Sequence, residues 1–323
     1  MKETKAPRQI KKLVSLEGIC LPLTTCFDAN EDLDLVGLSA NIRRYNHSGI
    51  LGYVILGSTG ERVNLNEEEY LRVVETARAQ TPSSMTFIVG AGQQSTRGTI
   101  NEIRAAANAG ADAILVLTPY FYRSAITQDA LVTYYNTVAD SSSIPVLLYS
   151  MPALTGIKIQ PETIARLAQH PNIIGVKDSS NDIEGLQQTV ELCPKDFAVM
   201  TGNGTVLFDA LKSGATGGIL AVGCAIPEVC VEIFELFRKG EIARAGQLQS
   251  KLTPFAAAVT TRFGIGGLKA ALDRSGYVGG VVRTPLAVPN EEQCAEILEL
   301  LNEVQKCSEY KSRISPESHK SRI

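Results

Sequence analysis

Three short stretches of the sequence carry side chains that together could form and break covalent bonds. NIIGVKDSS (residues 172–180) reads as a buried strand that leads into Lys177, although lysine is almost never fully buried unless it is paired. A lysine amine that has lost its proton attacks a carbonyl carbon and forms a Schiff base, an electron sink that lets the adjacent carbon–carbon bond break. The alternative is a structural lysine whose ammonium group reaches water at the strand end, or pairs with Asp178.

The other two stretches supply a phenol and a turn. PVLLY ends in Tyr149, whose hydroxyl group would carry protons to and from a lysine adduct, although a tyrosine there can also be a packing residue. GSTGE (57–61) places two hydroxyl residues between glycines before a predicted helix, and backbone amides in such a turn bind a carboxylate or phosphate. The alternative is a purely structural turn. The three stretches in combination favour carbonyl chemistry.

The composition argues against several other kinds of site. With only three histidines, and with His170 and His319 predicted at the surface, a histidine-ligated metal or a histidine-containing triad lacks residues. Seven scattered cysteines without a C-x-x-C pair argue against disulfides and cysteine zinc sites, and they indicate a reducing compartment. A net charge of -3 gives nucleic acid no basic surface, and no apolar run reaches the roughly 18 residues that span a bilayer. We expect a cytoplasmic protein, with organelle import left open.

Eight short apolar runs alternate with amphipathic helical segments, which is typical of βα units around a parallel sheet. Their starts lie 20 to 34 residues apart, so no interval leaves room for a second domain. Eight units favour an α/β fold of the (β/α)8 TIM barrel type over a doubly wound sheet, since no G-x-G-x-x-G follows the first run. The predicted strands are ICLPL (from 20), YVIL (53), FIVG (87), AILVL (113), PVLLY (145), IIGVK (173), FAVM (197) and GGILAV (217).

Helix-start signals fix the register of this pattern at several points. Asn66 with Glu69, and Asn181 with Glu184, fit a capping residue followed by an acid, and Pro161 suits a first helical position. Because barrel active sites form at the carboxyl ends of the strands, the three reactive stretches would meet at one mouth of the barrel. We divide the chain into an N-terminal polar segment (1–12), a barrel (13–225), a C-terminal helical appendage (226–307) and a disordered tail (308–323).

These motifs together resemble the pyruvate-dependent class I aldolases, a family that includes dihydrodipicolinate synthase, N-acetylneuraminate lyase and 4-hydroxy-2-oxoglutarate aldolase. The resemblance extends from about Leu13 to Leu301 and implies a (β/α)8 barrel with additional C-terminal helices. It also implies a homotetramer or dimer of dimers, pyruvate as a substrate, and no cofactor beyond a covalent imine. The motifs that occur in the family's order and spacing are GSTGE (57–61), LTPYFY (117–122), LLYSMPALTG (147–156) and GVKDSS (175–180).

The resemblance implies a role for individual residues. Lys177 would be the Schiff-base lysine and Tyr149 the proton-relay phenol, while Ser58 and Thr59 would hold the carboxylate of the 2-oxo acid. We also predict that the substrate contacts Gly60, Ser179, Gly202, Asn203 and Ile219.

Two positions depart from the family's pattern. Synthases that condense pyruvate with aspartate semialdehyde carry an arginine after the relay tyrosine, whereas this chain has Leu154, which cannot pair with a carboxylate. Arg62 or Arg123 would have to replace that arginine. The family also often inserts a tyrosine from the neighbouring subunit into the relay. Phe121 occupies that position here, so we predict that Tyr122 takes the role, that water does, or that the relay itself is altered.

Residues 256–286 look most similar to the eukaryotic-type 4-hydroxy-2-oxoglutarate aldolases, and Ser179 also matches that group. We therefore expect a metal-independent carbon–carbon lyase that cleaves 4-hydroxy-2-oxoglutarate to pyruvate and glyoxylate. The alternatives are dihydrodipicolinate synthase, and an aldolase or dehydratase for 2-keto-3-deoxy sugar acids in which Ser179, Thr201 and Asn203 line a longer pocket. A non-catalytic sensor of 2-oxo acids is disfavoured, because reactive groups that are costly to bury mark functional sites.

Overall fold

The computed structural model describes residues 14–307, so the predicted polar segment 1–12 and tail 308–323 lie outside the described residues. Eight parallel strands pair with their neighbours in chain order, and the eighth pairs with the first to close a barrel. The predicted (β/α)8 TIM barrel is therefore confirmed. The strands are β1 (Gly18–Pro22), β2 (Gly52–Ile55), β3 (Thr86–Ala91), β4 (Ala113–Leu117), β5 (Val146–Ser150), β6 (Ile173–Asp178), β7 (Ala198–Thr201) and β8 (Gly217–Ile219).

Helices separate the strands, and further helices follow the eighth strand. None of those described is long and apolar enough to cross a membrane. They are α1 (Leu35–Tyr45), α2 (Glu67–Gln80), α3 (Thr96–Asn108), α4 (Gln128–Ser141), α5 (Pro152–Thr155), α6 (Pro161–Leu167), α7 (Ile183–Leu192), α8 (Leu207–Lys212), α9 (Pro227–Arg238), α10 (Ile242–Ala257), α11 (Gly264–Arg274) and α12 (Glu291–Cys307).

The chain after β8 continues as a barrel helix before it becomes an appendage. Helix α9 packs against β1 and α8, which is the place of the eighth barrel helix, and a π-helical turn (Ala258–Arg262) joins α10 to α11. The division of the chain at residue 225 remains a proposal.

Side-chain alternation along the strands divides the core into two layers. Residues such as Cys20, Val54 and Tyr149 fill the interior of the barrel. Their strand neighbours, such as Leu148 and Val176, face the helices and join a larger outer core. Burial on both faces explains why the strands read as nearly continuous apolar runs.

Some element boundaries differ from the prediction by a few residues. β5 ends at Ser150 and β6 at Asp178, one residue beyond Tyr149 and Lys177 respectively, because Ser150 and Asp178 still pair with each other. β8 ends at Ile219, earlier than predicted, because the backbone turns into a 3-10 segment there. The reactive residues therefore lie just inside the barrel mouth.

One predicted helix cap is confirmed and one is wrong. Asn66 caps α2 and exchanges hydrogen bonds with Glu69, as expected for a capping box. Helix α7 is capped by Asp182, whose carboxylate accepts a first-turn amide, because Asn181 adopts a left-handed backbone conformation with φ of 62°. Asn and Asp both cap helices well, so residue type alone does not distinguish these two adjacent positions.

Candidate active site

The strand register brings the predicted lysine and phenol together. Tyr149 on β5 pairs with Lys177 on β6, so their side chains leave the sheet on the same face. Lys177 Nζ lies 3.4 Å from the Tyr149 hydroxyl oxygen and 4.4 Å from the centre of its ring. The two residues are only 3% and 4% exposed, so Lys177 does not extend into solvent as the structural alternative requires.

The GSTGE turn adds a second hydroxyl group to this pair. A 3-10 turn (Ser58–Gly60) follows β2 and places Ser58 Oγ 2.8 Å from the Tyr149 hydroxyl oxygen. Thr25 donates its hydroxyl to the Gly60 carbonyl oxygen at 2.7 Å and anchors the turn to the barrel. Ser58, Tyr149 and Lys177 therefore form a row of hydrogen-bonding groups through which a proton can move.

Lys177 keeps its amine free of carboxylates. Among residues 14–307, no carboxylate forms an ion pair with it. The Asp178 carboxylate instead accepts the Ser180 amide at 2.6 Å, and burial raises the pKa of that carboxyl above its usual range although hydrogen bonds from Ser180 oppose the shift. A buried lysine whose polar contact is a phenol is costly for folding, which favours a functional reason for it.

Another nucleophile, a thiol, lies within electrostatic range of the amine but stays protonated. Burial raises the pKa of the Cys20 thiol to about 12, although Lys177 opposes the shift. A thiol in that state is a poor nucleophile at neutral pH. Within residues 14–307, no group of three or more His, Cys, Asp or Glu side chains is arranged to hold a metal ion.

Gly202 lies directly beside the amine. A Cβ atom at this position would lie 1.8 Å from Ser179 Oγ and 2.8 Å from Lys177 Cε. Its amide donates to the Asp178 carbonyl oxygen at 2.6 Å, which fixes the end of β7 against β6. Gly202 and Ser179 thus restrict where the lysine side chain can lie. Their contact with substrate remains a prediction.

We expect the substitution Gly202→Ala to impair turnover more than folding. The new methyl group would displace Ser179 or Lys177, and a misplacement of about 1 Å at a reacting group can lower kcat by about 10²-fold. Initial rates and thermal melting of the variant measure both effects. Gly246→Ala on α10, where the nearest atom to a Cβ is 3.4 Å away, is the control that should keep its activity. Wild-type kcat in Gly202→Ala would contradict the packing argument.

Two other predicted substrate residues lie near this centre but are occupied by protein contacts. Ile219 is fully buried in the barrel interior, in the same cluster as Tyr149. Asn203 caps the turn after β7, where its side-chain oxygen accepts from the amide and hydroxyl of Thr205 at 3.0 Å each, while its nitrogen donates to Asn181 at 2.5 Å. The Asn203 side-chain oxygen is thus occupied, while its nitrogen keeps a second N–H that could donate to a ligand.

Tyr122 lies apart from the centre within one chain. It projects from the loop after β4 with 72% of its surface exposed. Its ring packs edge-on against Phe121, and Phe121 is itself 71% exposed. No hydrogen bond links its hydroxyl to Tyr149 within the described residues. Its role in a proton relay stays a prediction, and it would require a second chain to bring the phenol to the site.

A cavity of about 300 Å³ borders two of the three hydrogen-bonded residues, Ser58 and Tyr149. Its wall includes Ser58, Tyr149 and Leu154, and mixes apolar side chains with a few polar groups, as small-molecule sites do. A larger cavity of about 850 Å³ extends past Tyr120 and Tyr122, but its lining includes none of the three hydrogen-bonded residues. The smaller cavity is the candidate substrate site because Ser58 and Tyr149 line it, and the Lys177 amine, although not part of the lining, lies 3.4 Å from the Tyr149 hydroxyl oxygen.

The two arginines considered as replacements for a missing family arginine lie in different environments. Arg62 lines the cavity, but Glu102 pairs with it and also accepts the Gly92 amide. The Arg123 guanidinium packs against Gly156, which ends the short helix α5 that carries Leu154. In the described part of the chain no carboxylate pairs with Arg123, but Arg123 is not among the residues that line the cavity. Of the two arginines, Arg62 borders the cavity with its charge already paired, and Arg123 keeps its charge unpaired outside the lining.

The sequence reasoning missed a buried ion pair next to the site. Glu61 Oε1 lies 2.6 Å from Lys269 Nζ, and each side chain is almost fully buried. Burial lowers the pKa of the Lys269 amine, while the Glu61 carboxylate opposes the shift. A signal was present in the sequence, because Lys269 lies on the apolar face of the predicted helix GGLKAALDRSG with Leu268 and Leu272.

The chain is similar to known proteins over most of its length. A family profile described as "Dihydrodipicolinate synthetase family" matches residues 15–304. The chain is 33% identical to a 4-hydroxy-tetrahydrodipicolinate synthase of Methanothrix thermoacetophila over 89% of this chain and 96% of the relative. It is 34% identical to the "Probable 4-hydroxy-2-oxoglutarate aldolase, mitochondrial" of Emericella nidulans over 88% and 94%. A solved structure of YagE, a prophage protein from E. coli K12 in complex with pyruvate, matches with a TM-score of 0.83, 30% identity, and coverage of 90% and 98%.

Proposed function

Because the chain belongs to the dihydrodipicolinate synthetase family, we propose that it cleaves 4-hydroxy-2-oxoglutarate to pyruvate and glyoxylate through an imine on Lys177. The members of this family are pyruvate-dependent aldolases and synthases, and this chain is a lyase of that class. The observation that carries the proposal is the buried row in which Ser58 Oγ, the Tyr149 hydroxyl and Lys177 Nζ lie 2.8 Å and 3.4 Å apart.

The proposed reaction begins at the lysine amine. Lys177 Nζ adds to the C2 carbonyl of the 2-oxo acid, and water leaves to give a protonated imine. The Tyr149 hydroxyl, which contacts both Lys177 and Ser58, carries protons to and from this adduct. Ser58 and Thr59 would hold the C1 carboxylate above the amine, since the first amides of a helical turn lack intrahelical partners.

Cleavage then uses the imine as an electron sink. Tyr149 removes the proton from the C4 hydroxyl, the C3–C4 bond breaks, and its electron pair moves to the imine to form an enamine. C4 leaves as the aldehyde carbon of glyoxylate. The enamine takes a proton at C3, and water hydrolyses the resulting imine to release pyruvate and the free amine. The atoms of the substrate are conserved in the two products.

The choice of substrate rests on the groups around the cavity. The distal carboxylate of 4-hydroxy-2-oxoglutarate needs a cation, which the cavity-lining Leu154 cannot supply. Arg123, which packs beside Gly156 outside the lining, would supply it by extending towards the cavity. Dihydrodipicolinate synthase chemistry remains the second candidate, because several relatives carry that name. A 2-keto-3-deoxy sugar acid is the third, and its hydroxyl groups could bind Asn203 only through the second N–H of the side-chain amide, since the side-chain oxygen is occupied.

One assay panel separates these candidates. Pyruvate release is measured from 4-hydroxy-2-oxoglutarate and from a series of 2-keto-3-deoxy sugar acids, beside condensation of pyruvate with aspartate semialdehyde. We expect the highest kcat/KM with 4-hydroxy-2-oxoglutarate. A higher value with a sugar acid, or with the condensation, would replace the proposed substrate and retain the imine.

We expect Arg123→Gln to weaken binding of the whole substrate but not of pyruvate. Loss of one charge-assisted contact to the distal carboxylate should raise KM for 4-hydroxy-2-oxoglutarate by about tenfold or more. The pyruvate concentration that half-saturates trapping on Lys177 should stay unchanged, since pyruvate lacks that carboxylate. Arg166→Gln, which removes an exposed arginine paired with Asp129, is the matched control. An unchanged KM in Arg123→Gln would assign the distal carboxylate to another group.

We further propose that the protein assembles into a homotetramer or a dimer of dimers and acts in the cytoplasm. Two large aromatic side chains, Phe121 and Tyr122, project from one loop with about 70% of their surface exposed, as expected of residues that a partner chain covers. Assembly would also bring Tyr122 within reach of a neighbouring site.

A further inference from the structure

The turn that carries Ser58 and Thr59 lies between two residues with unusual backbones. Leu56 and Glu61, at the two ends of the turn, have φ of 59° and 52°, in the left-handed region that side chains other than glycine rarely adopt. Such conformations persist only where the surroundings hold them, and they concentrate at ligand-binding sites. Contacts on Glu61 therefore control the conformation of the carboxylate-binding turn.

Both carboxylate oxygens of Glu61 are held by the C-terminal part of the chain. Oε1 lies 2.6 Å from Lys269 Nζ on α11, and Oε2 accepts the Arg283 amide at 3.0 Å. Asn64 adds a contact to Oε2 at 3.3 Å. Lys269 Nζ also donates to the Val281 carbonyl oxygen at 2.5 Å, so the amine links the turn to two separate C-terminal segments.

Arg283 fixes the loop between α11 and α12, so that this loop can act as a rigid support. Its guanidinium binds the carboxylate of Glu69 through two nitrogens and donates to the carbonyl oxygens of Glu31 and Asn64. Arg283 and Lys269 lie over the Phe27 ring, at 4.4 Å and 4.5 Å from its centre. The loop therefore cannot move without breaking several charged contacts, and Glu61 is tied to a fixed frame.

A buried ion pair is weak evidence for stability, because well-packed apolar residues of similar size often stabilise a fold as well or better. An apolar pair at positions 61 and 269 would form no directional hydrogen bonds, however. Such a pair would not hold the backbone of residue 61 at its φ of 52°. We propose that Glu61 and Lys269 are positioning residues that hold the carboxylate-binding turn, so that helix α11 belongs to the substrate-binding machinery. This inference rests on the proposed role of Ser58 and Thr59.

Three variants test this inference: Glu61→Gln, Lys269→Met and the double variant. The readouts are thermal melting and the pyruvate concentration that half-saturates borohydride trapping on Lys177. Each single variant leaves one buried charge without its partner and should melt earlier, and the double variant should regain most of that loss. We expect all three to need about tenfold more pyruvate for half-saturation, with an unchanged maximal extent of trapping.

The double variant decides between positioning and simple stabilisation. If it regains wild-type stability but keeps weak pyruvate binding, the pair positions the turn. If it regains both, the pair is only structural and the inference is wrong. Asn172→Leu is the matched control, since Asn172 is buried at the opposite end of β6, where its side chain donates to three carbonyl oxygens. It should lose stability without any change in pyruvate binding.

The same experiment separates this inference from the proposed function. If wild-type protein traps no pyruvate, the imine mechanism fails and the inference fails with it. If wild-type protein traps pyruvate and the double variant does so with the same half-saturation, only the role of Glu61 and Lys269 is rejected.

Discussion

Replacing Lys177 with alanine should abolish both the covalent adduct with pyruvate and the cleavage of 4-hydroxy-2-oxoglutarate. The amine is the proposed nucleophile, and removal of a covalent nucleophile typically costs several orders of magnitude, so we expect kcat to fall by on the order of 10³-fold or more. Borohydride reduction in the presence of pyruvate, followed by intact mass and peptide mapping, measures the adduct. Pyruvate release measures the turnover.

Two further variants make this result specific. Lys177→Arg keeps a positive charge at this position but supplies no primary amine, and it should be as inactive as Lys177→Ala. Lys158→Ala removes a lysine that pairs with Asp182 outside the barrel interior, and it should keep a full adduct. A reduced adduct that maps to another lysine, or that persists in Lys177→Ala, would remove Lys177 from the mechanism.

Most of the barrel could be predicted from the sequence because its signals are local. Strands buried on both faces read as short apolar runs, and the helices between them carry capping residues such as Asn66 and Glu69. The proximity of Tyr149 to Lys177 could also be predicted from local information, since both lie near the ends of consecutive parallel strands. Their pairing in register places them side by side without any knowledge of the helices.

What could not be predicted depends on contacts between distant segments. Glu61 and Lys269 are more than 200 positions apart. The GSTGE motif places Glu61 in the turn but carries no information about the residue that pairs with it. The choice of Asp182 over Asn181 as the cap of α7 likewise depends on the backbone conformation at Asn181, since both residue types cap helices. The ion pair between Arg62 and Glu102 likewise joins residues 40 positions apart, the second of which lies on α3.

The second large effect is expected from Tyr149→Phe, which removes one oxygen atom and leaves the ring. The ring should keep its contact with Lys177 Nζ, 4.4 Å from its centre, so the lysine should remain in place and still form the imine with pyruvate. Proton transfer from the C4 hydroxyl loses its acceptor, and we expect kcat to fall by about 10²- to 10⁴-fold, as for other general acid–base groups. Steady-state rates and pyruvate trapping on the same samples measure both steps.

The matched control for this prediction is Tyr53→Phe. Tyr53 is fully buried in the outer core, away from the catalytic centre, and its hydroxyl donates to the Asn46 side-chain oxygen at 2.7 Å. Loss of that bond should lower the free energy of unfolding by about 1 kcal/mol and leave kcat unchanged. If Tyr149→Phe retains wild-type turnover, protons must reach the adduct by another route, through Ser58 or through a phenol such as Tyr122 from a second chain. If it forms no imine, the hydroxyl is needed to orient or deprotonate Lys177 before any bond is cleaved.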